Sequence, residues 1–250
     1  MLWTSSQRDI LLQVLRDLPR MQTKLLKDER INLIFQHILF TYAVRHPASE
    51  YVQGMNDILF IFFIVFLSEK FENVDMEDII SKSNVDEIND KDLETIEADS
   101  FWCFSKFLDY FQDFYTKEQP GLYKMIGQLQ VLIKKVDVEL YNHLEEENIQ
   151  FNVFAFRWMN CLLVREFKIN QLLRIWDLFL SEPNKVSLTL VYICAAMITS
   201  VSSELMNLTQ CESMNLIKNI PPESWNMEKI DIILAQSFVY EKSFLIQKKF

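Results

Sequence analysis

Tyr51-Val52-Gln53-Gly54-Met55-Asn56-Asp57 leads directly into ten consecutive apolar residues, 58–67. The glycine is informative because the chain has only 3 glycines in 250 residues. Glycine serves where the backbone needs a positive φ or a close approach. The apolar run is shorter than the roughly 20 residues that cross a bilayer, so it predicts a buried core helix. The polar pair Gln53-Gly54 in front of that helix indicates a site of contact outside the chain.

Apolar residues at helical spacing continue on both sides of this stretch. A capping box at Ser6-Gln7-Arg8-Asp9 predicts a helix that ends near Asp17, because Pro19 lacks a backbone donor. Further helices are expected over residues 31–42, 55–67, 101–111, 150–165, 170–180, 186–203 and 228–239, and as one helix or a pair over 122–144, with breaks at Pro183 and at Pro221-Pro222. No strict alternation with hairpin turns occurs. The pattern therefore predicts an all-α fold.

Charge is concentrated in one segment. Half of the residues are apolar, with 20 phenylalanines, and the net charge is −10. Residues 72–99 hold eleven acidic side chains against two lysines, which accounts for nearly all of that charge. The segment is typical of a solvated, partly mobile insertion. Because no basic stripe exists, nucleic-acid binding is not expected.

Cysteine and histidine usage argues against a metal site. The four cysteines, Cys103, Cys161, Cys194 and Cys211, are widely spaced, no C-x-x-C pair occurs, and the three histidines are scattered. We expect the thiols to be small buried hydrophobic groups in a reducing compartment. No secretory signal is visible at the N-terminus, and the second long apolar run, 188–198, is also too short for a membrane span. These features predict a cytoplasmic location with no transmembrane segment.

Several enzyme classes lack their motifs. No glycine-rich phosphate loop, H-E-x-x-H or G-x-S-x-G sequence is present. What remains is Arg20, just past a helix end, and Gln53, just before another helix. An arginine can stabilise the charge on a transferring phosphoryl group, and a glutamine can orient the attacking water. Equally, Arg20 can be a surface salt-bridge partner and Gln53 a cap or turn residue, and the residues alone leave both interpretations open.

Two motifs carry a resemblance to a known family. Val14-x-x-Asp17-x-x-Arg20 resembles the I-x-x-D-x-x-R motif of TBC-domain Rab GTPase-activating proteins, and Tyr51-Val52-Gln53-Gly54-Met55 resembles their Y-x-Q-G-M motif. The likeness continues in order through Arg45-His46-Pro47-Ala48-Ser49, Glu97-Ala98-Asp99-Ser100-Phe101-Trp102-Cys103, Phe154-Ala155-Phe156-Arg157-Trp158-Met159-Asn160, Arg174-Ile175-Trp176-Asp177 and Ser181-Glu182-Pro183. The sequences around Arg45 and Phe156 are most similar to those of a Golgi-associated subgroup.

The resemblance implies a function, a partner and a site. The partner would be a Rab-family GTPase in its GTP-bound state, which carries the GTP and Mg²⁺, so that this chain needs no cofactor of its own. Membrane association would be peripheral, through the Rab, on Golgi or other endomembranes. The resemblance implies that the catalytic fingers supplied in trans are Arg20 and Gln53. The partner-binding or loop-shaping residues would be Asp17, Tyr51, Gly54 and Asp57. The packing and buried-pair residues would be Phe156, Arg157, Trp158, Trp176 and Asp177.

The chain also departs from the family pattern. The resemblance implies one TBC-type domain over 1–250, with 72–99 as an acidic insertion and a truncated N-terminal lobe, since only 13 residues precede Val14. Met21 stands where threonine usually follows the arginine, and Glu50 stands where glycine is common. These changes keep two alternatives open: a Rab-binding or scaffold module with weak or no activation, and a helical adaptor recruited through 72–99.

Overall fold

All regular structure in the described part of the chain is helical. The structure is a computed structural model that describes residues 4–21, 23–116, 118–220 and 225–244. These residues form thirteen α-helices and four short 3-10 helices, with no β-strand among them. The predicted all-α fold is thus confirmed. The chain divides into two compact units, Met1–Gln119 and Pro120–Phe250. The predicted break at Pro221-Pro222 lies outside the described residues.

The first unit contains five α-helices: α1 (Ser5–Asp17), α2 (Glu29–Arg45), α3 (Met55–Ser68), α4 (Met76–Ser81) and α5 (Asp90–Leu108), together with 3-10 helices at Leu18–Arg20, Leu25–Lys27 and Asp109–Phe114. As predicted, α1 ends at Asp17. The capping box predicted at Ser6 was wrong by two residues. Thr4 caps the helix, its hydroxyl accepting from the Gln7 N–H at 3.2 Å while Gln7 Oε1 accepts from the Thr4 N–H at 3.0 Å. Glutamine's longer side chain reaches back to the cap, which aspartate does less well.

The apolar block 58–67 forms the core of this unit, as predicted. In α3, eleven residues from Met55 to Leu67 are buried, and the helix packs against α5. The ring of Phe63 meets Phe35 of α2 edge-on at 5.1 Å, and that of Phe62 meets Phe107 of α5 at 5.5 Å. Full burial of each such side chain contributes about 1.5–3 kcal/mol. This packing fixes the start of α3, where the candidate site lies.

The acidic segment 72–99 differs from the expected loosely held insertion. It contains α4 and the first half of α5, and Ile79 and Val85 are completely buried. Arg30 of α2 donates hydrogen bonds of 3.0 Å to the carbonyls of Val85 and Ile88, and Asp28 accepts from the Val85 N–H at 3.0 Å. Apolar residues spaced between the acidic ones are buried and anchor the segment. The net charge of the segment does not reveal this amphipathic pattern.

The second unit contains α6 (Pro120–Val136), α7 (Val138–Glu146), α8 (Phe151–Asn160), α9 (Ile169–Ser181), α10 (Val186–Thr199), α11 (Ser202–Leu205), α12 (Gln210–Lys218) and α13 (Met227–Ser243), with a 3-10 helix at Pro183–Lys185. Residues 122–144 are a helix pair, because Asp137 interrupts α6 and caps α7 through the Leu140 N–H at 2.9 Å. The run 188–198 lies in the buried helix α10. Across the described residues, no helix is long and apolar enough to span a membrane.

The resemblance residues of this unit are mainly structural. Trp158 and Trp176 are each 1 % exposed. Arg157 makes a bidentate ion pair with Glu166, with both bonds at 2.8 Å. Asp177 is exposed, contrary to the buried-pair expectation, because it faces outward on α9.

The expectation that all four thiols are buried was also partly wrong. Cys161 and Cys194 are buried, Cys103 is half-buried and Cys211 is exposed on α12, a helix that sequence analysis did not predict. Burial raises the pKa of the Cys194 thiol, which keeps it protonated and unreactive. Among the described residues, no group of three or more His, Cys, Asp or Glu side chains could hold a metal ion.

Candidate functional site

Arg20 stands at the end of a short turn that follows α1. Pro19 ends the α-helix, and residues Leu18–Arg20 form a single 3-10 turn. The Arg20 Nη1 donates a hydrogen bond to Asp17 Oδ1 at 3.1 Å. The arginine side chain is 61 % exposed, whereas the aspartate side chain is only 6 % exposed. A buried carboxylate therefore orients a cation that faces solvent.

Gln53 lies on the loop that enters α3. Gly54, the N-cap of α3, adopts φ 106°, a left-handed conformation that favours glycine. The Gly54 N–H donates to Asn56 Oδ1 at 3.1 Å, and the Met55 N–H donates to the Val52 carbonyl at 3.1 Å. These bonds fix the loop backbone around Gln53, whose side chain is exposed. The unusual backbone that the sequence suggested for Gly54 is present.

Tyr51 joins the two loops. Its hydroxyl lies 3.1 Å from Asp17 Oδ2, to which it donates, and 3.3 Å from Asn56 Oδ1. The same carboxylate thus holds Arg20 through one oxygen and Tyr51 through the other. The structure brings Asp17, Arg20, Tyr51 and Gly54 into one hydrogen-bond network, although Asp17 and Tyr51 are 34 residues apart.

Asn56 belongs to this network and was not selected from the sequence. It is completely buried, and its Nδ2 has no hydrogen-bond partner among the described residues. A buried unpaired donor costs about 1–3 kcal/mol, so such a group requires an explanation. Its Oδ1 accepts from Gly54 and lies against Tyr51, which places Asn56 at the junction of the loops. A polar residue at the head of a wholly apolar helix was the signal that could have identified it.

Asp57 is 4 % exposed and lies in the first turn of α3. A carboxylate at a helix N-terminus is stabilised by the unpaired N–H groups and by the helix dipole. Because Asp57 is buried, its side chain is not placed to contact a partner directly.

Glu50 occupies a strained position beside the site. Its φ is 53°, in the left-handed region, and its N–H donates to the His46 carbonyl at 2.8 Å, which closes the turn after α2. A side chain in this conformation costs about 1–2 kcal/mol relative to glycine. This explains physically why glycine suits the position. The Glu50 carboxylate is exposed, so a negative charge accompanies the strain.

The arrangement offers donors without a titrating nucleophile. Arg20 has five N–H donors, and the bond to Asp17 uses Nη1. Gln53 supplies an amide that can both donate and accept. Such a pair can stabilise negative charge and orient water on a ligand brought by another molecule.

Comparison with known proteins gives a family. A family model described as the Rab-GTPase-TBC domain matches residues 2–206, which include both Arg20 and Gln53. TBC1 domain family member 22B from Homo sapiens is 39 % identical over 234 residues, covering 92 % of this chain and 45 % of the relative. The GTPase-activating protein gyp1 from Schizosaccharomyces pombe is 37 % identical over 234 residues, with 92 % and 44 % covered. The chain therefore spans about half the length of the curated relatives it matches.

Solved structures agree with this assignment. The crystal structure of the Ypt/Rab-GAP domain of Gyp1p superimposes with a TM-score of 0.90 at 35 % identity, covering 96 % of this chain and 75 % of that one. A flagellar RabGAP TBC domain from Chlamydomonas gives a TM-score of 0.63 at 18 % identity, with 94 % and 67 % covered, which supports the fold alone.

Proposed function

The chain belongs to the Rab-GTPase-TBC domain family, and from this premise we propose that it activates GTP hydrolysis by a Rab-family GTPase, supplying Arg20 and Gln53 in trans. The observation that carries the proposal is the shared carboxylate of Asp17, which ties the Arg20 turn to the Gln53 loop through Tyr51. Both candidate fingers are exposed while the groups that hold them are buried. This arrangement suits residues that must enter another protein's nucleotide site.

The two side chains have distinct roles in the proposal. The partner GTPase brings GTP and Mg²⁺, and Arg20 neutralises the charge that develops on the transferring phosphoryl group. Gln53 positions the attacking water. An arginine finger raises the rate by about 10³–10⁵, which corresponds to about 4–7 kcal/mol of barrier. Because Asp17 holds Arg20 before the encounter, less side-chain freedom is lost when the complex forms.

A second function has one observation in its favour. Glu50 places a strained backbone and a negative charge three residues before Gln53. A carboxylate near the partner's phosphates would repel them, which favours a Rab-binding module with weak or no activation. If that repulsion dominates, Glu50→Gly converts a weak activator into a stronger one.

Single-turnover GTP hydrolysis by a panel of Rab GTPases, with and without the chain, tests the proposal. We expect a responsive Rab to lose at least about 10²-fold of its stimulation with Arg20→Ala, and to lose stimulation with Gln53→Ala. Arg20→Lys keeps the charge but loses the planar fork, so it also falls short of the natural chain.

Matched controls are available on α1. Arg8 and Gln13 are exposed there, so Arg8→Ala and Gln13→Ala should leave stimulation unchanged. Full stimulation by Arg20→Ala refutes the finger assignment. Rab binding without stimulation by the unmodified chain favours the scaffold function.

A further inference from the structure

One surface of the first unit exposes a tryptophan. Trp102 on α5 is 62 % exposed, whereas Trp158, Trp176 and Trp225 are each 1 % exposed. Exposed large aromatic groups that cluster mark interaction sites, and tryptophan is among the residues most enriched at binding hot spots. Trp102 is not isolated, because its ring meets that of Phe101 at 5.4 Å and 74°.

A cation holds this aromatic pair. The Arg45 guanidinium lies 5.7 Å from the ring centre of Phe101 and 5.8 Å from that of Trp102. No ion pair is formed by Arg45 within the described ranges, so its charge is available to a ligand. Cation–π contacts of this kind contribute about 0.5–1 kcal/mol at exposed sites and limit ring motion. The surface is therefore ordered before any partner arrives, which lowers the entropic cost of binding.

Two clefts flank the Trp102 ridge and carry opposite charge. One, of about 270 Å³, is lined by Arg45, His46, Phe101, Trp102, Ser105, Lys106 and Asp109. The other, of about 350 Å³, is lined by His37, Ile38, Thr41, Glu94, Glu97, Ala98, Phe101 and Trp102. Lys106 lies 3.5 Å from Asp109, but it is 72 % exposed, so that pair is weak. The first cleft also contains the buried Ser105 hydroxyl, which has no partner in the described chain.

The helix dipole of α5 explains part of its charge pattern. Acidic residues near the start of the helix and Lys106 near its end interact favourably with that dipole, whatever else they contact. The dipole explains neither an exposed Trp102 nor an arginine contributed by another helix. Arg45 is the last residue of α2, and the adjoining His46 stacks on Tyr42 at 4.1 Å. The helix dipole therefore does not account for the exposed ring and the arginine beside it.

The surface adjoins the proposed site. Arg45 ends α2, and His46 begins the loop that runs to Gln53 and Gly54. The Ser49 hydroxyl donates to the His46 carbonyl at 3.3 Å and the Glu50 N–H donates to it at 2.8 Å, which folds the loop back on the end of α2. Arg45 thus lies at one end of this loop and Gln53 at the other. We propose that the ridge of Phe101 and Trp102 with its two clefts, the ridge surface, is a docking site for the GTPase activated under the proposed function, on which this inference rests.

The chemistry specifies what the GTPase presents. An apolar side chain covers Trp102, an acidic side chain enters the cleft of Arg45 and Lys106, and a basic one faces Glu94 and Glu97 on the other side. Placing the acid in a cleft lined by Arg45 and Lys106 gives it charge-assisted hydrogen bonds. Complementary charge on both sides of the ridge fixes the direction in which the partner lies.

The concentration dependence of stimulation separates docking from chemistry. With a responsive GTPase, Trp102→Ala and Arg45→Glu should raise the half-saturating concentration about 5- to 30-fold while the maximal rate stays within about twofold. Arg20→Ala lowers the maximal rate instead, so a failure of the proposed function is recognised separately. Phe238→Ala and Arg8→Glu, at exposed positions elsewhere, serve as controls and should change neither quantity.

Charge reversal identifies the partner contact. If an acidic residue of the GTPase fills the Arg45 cleft, changing that residue to lysine should recover at least about tenfold of the affinity lost by Arg45→Glu. Calorimetry with the GTPase held in its GTP-like state measures the same contact without hydrolysis. A half-saturating concentration unchanged by Trp102→Ala overturns the proposal. Loss of binding to anionic phosphatidylserine vesicles, with GTPase affinity unaltered, would overturn it in favour of a membrane surface.

Discussion

Removing one oxygen atom tests whether Asp17 and Tyr51 form a structural link between the two loops. Tyr51→Phe deletes the hydroxyl that donates to Asp17 Oδ2 at 3.1 Å and leaves the ring in its buried position. A hydrogen bond to a charged group contributes about 1.5–3 kcal/mol. The substitution also removes the weaker 3.3 Å hydrogen bond of the same hydroxyl to Asn56 Oδ1. We expect the free energy of unfolding to fall by about 2 kcal/mol, or about 4–8 °C in Tm for a chain of this size.

A double-mutant cycle isolates the link from other effects of the substitution. Unfolding by urea is measured for the natural chain, Tyr51→Phe, Asp17→Ala and the double variant. Since the two side chains contact each other directly, their effects should be non-additive by at least about 1 kcal/mol. Tyr123, which is 56 % exposed, provides the matched control, and Tyr123→Phe should change stability by less than about 0.5 kcal/mol. Additivity within about 0.5 kcal/mol for the Tyr51–Asp17 cycle would refute the link.

The same variant connects stability to activity. If Tyr51 positions the Arg20 turn, Tyr51→Phe should lower maximal stimulation of a responsive GTPase about tenfold, the effect of about 1.4 kcal/mol. In an Arg20→Ala background the substitution should then have a smaller effect, because the residue it positions is already gone. An equal fold-change in both backgrounds would show that Tyr51 acts independently of the arginine.

Three further predictions concern the loop and its neighbour. Glu50→Gly should stabilise the chain by about 0.5–1 kcal/mol in urea unfolding, because relief of the left-handed strain exceeds the entropic cost of ordering a glycine backbone. Glu50→Ala keeps the strain and should not stabilise the chain. Gly54→Ala should destabilise it by about 1–3 kcal/mol because φ is 106° there; an unchanged midpoint would contradict the strain. Burial raises the pKa of Asp28, but hydrogen bonds from Val85 and Arg30 outweigh it and hold the pKa below the ordinary aspartate value. The stabilisation from the Asp28 carboxylate is present above that ordinary pKa. In urea unfolding, Asp28→Asn should therefore cost about 1–2 kcal/mol at pH 6, and the cost should vanish as the pH falls through the folded pKa.

The helices could be predicted where local chemistry determines them. Pro19 ends α1 whatever the rest of the chain does, and the apolar block 58–67 is buried in any compact fold. Other elements depend on tertiary contacts. The short helix α4 exists because Ile79 reaches the core, and α12 buries only Ser213 and Ile217, too few for a visible period. Pattern reasoning fails for such helices because their stability comes from the packing they join.

The candidate site divides in the same way. Arg20 and Gln53 could be selected because their positions beside helix ends are local features. The link through Asp17 and Tyr51 spans 34 residues and depends on how α1 and α3 are placed, which no local pattern records. The role of Asp17 in orienting the arginine turn was implied by the resemblance, while its second bond, to Tyr51, emerged only from the structure.

The loop between α2 and α3, together with the first turn of α3, contains three uncommon features within seven residues. Glu50 is in a left-handed conformation, Gly54 has φ 106°, and the buried Asn56 Nδ2 has no partner in the described residues. Strained and unsatisfied groups persist only where the surroundings over-determine them, and they cluster at functional sites. Here the buried helix α3 and the Tyr51–Asp17 bond hold the loop in place. These supports hold the loop backbone at a fixed position with the Gln53 side chain exposed to solvent. A continuous helix in place of the loop would not do so.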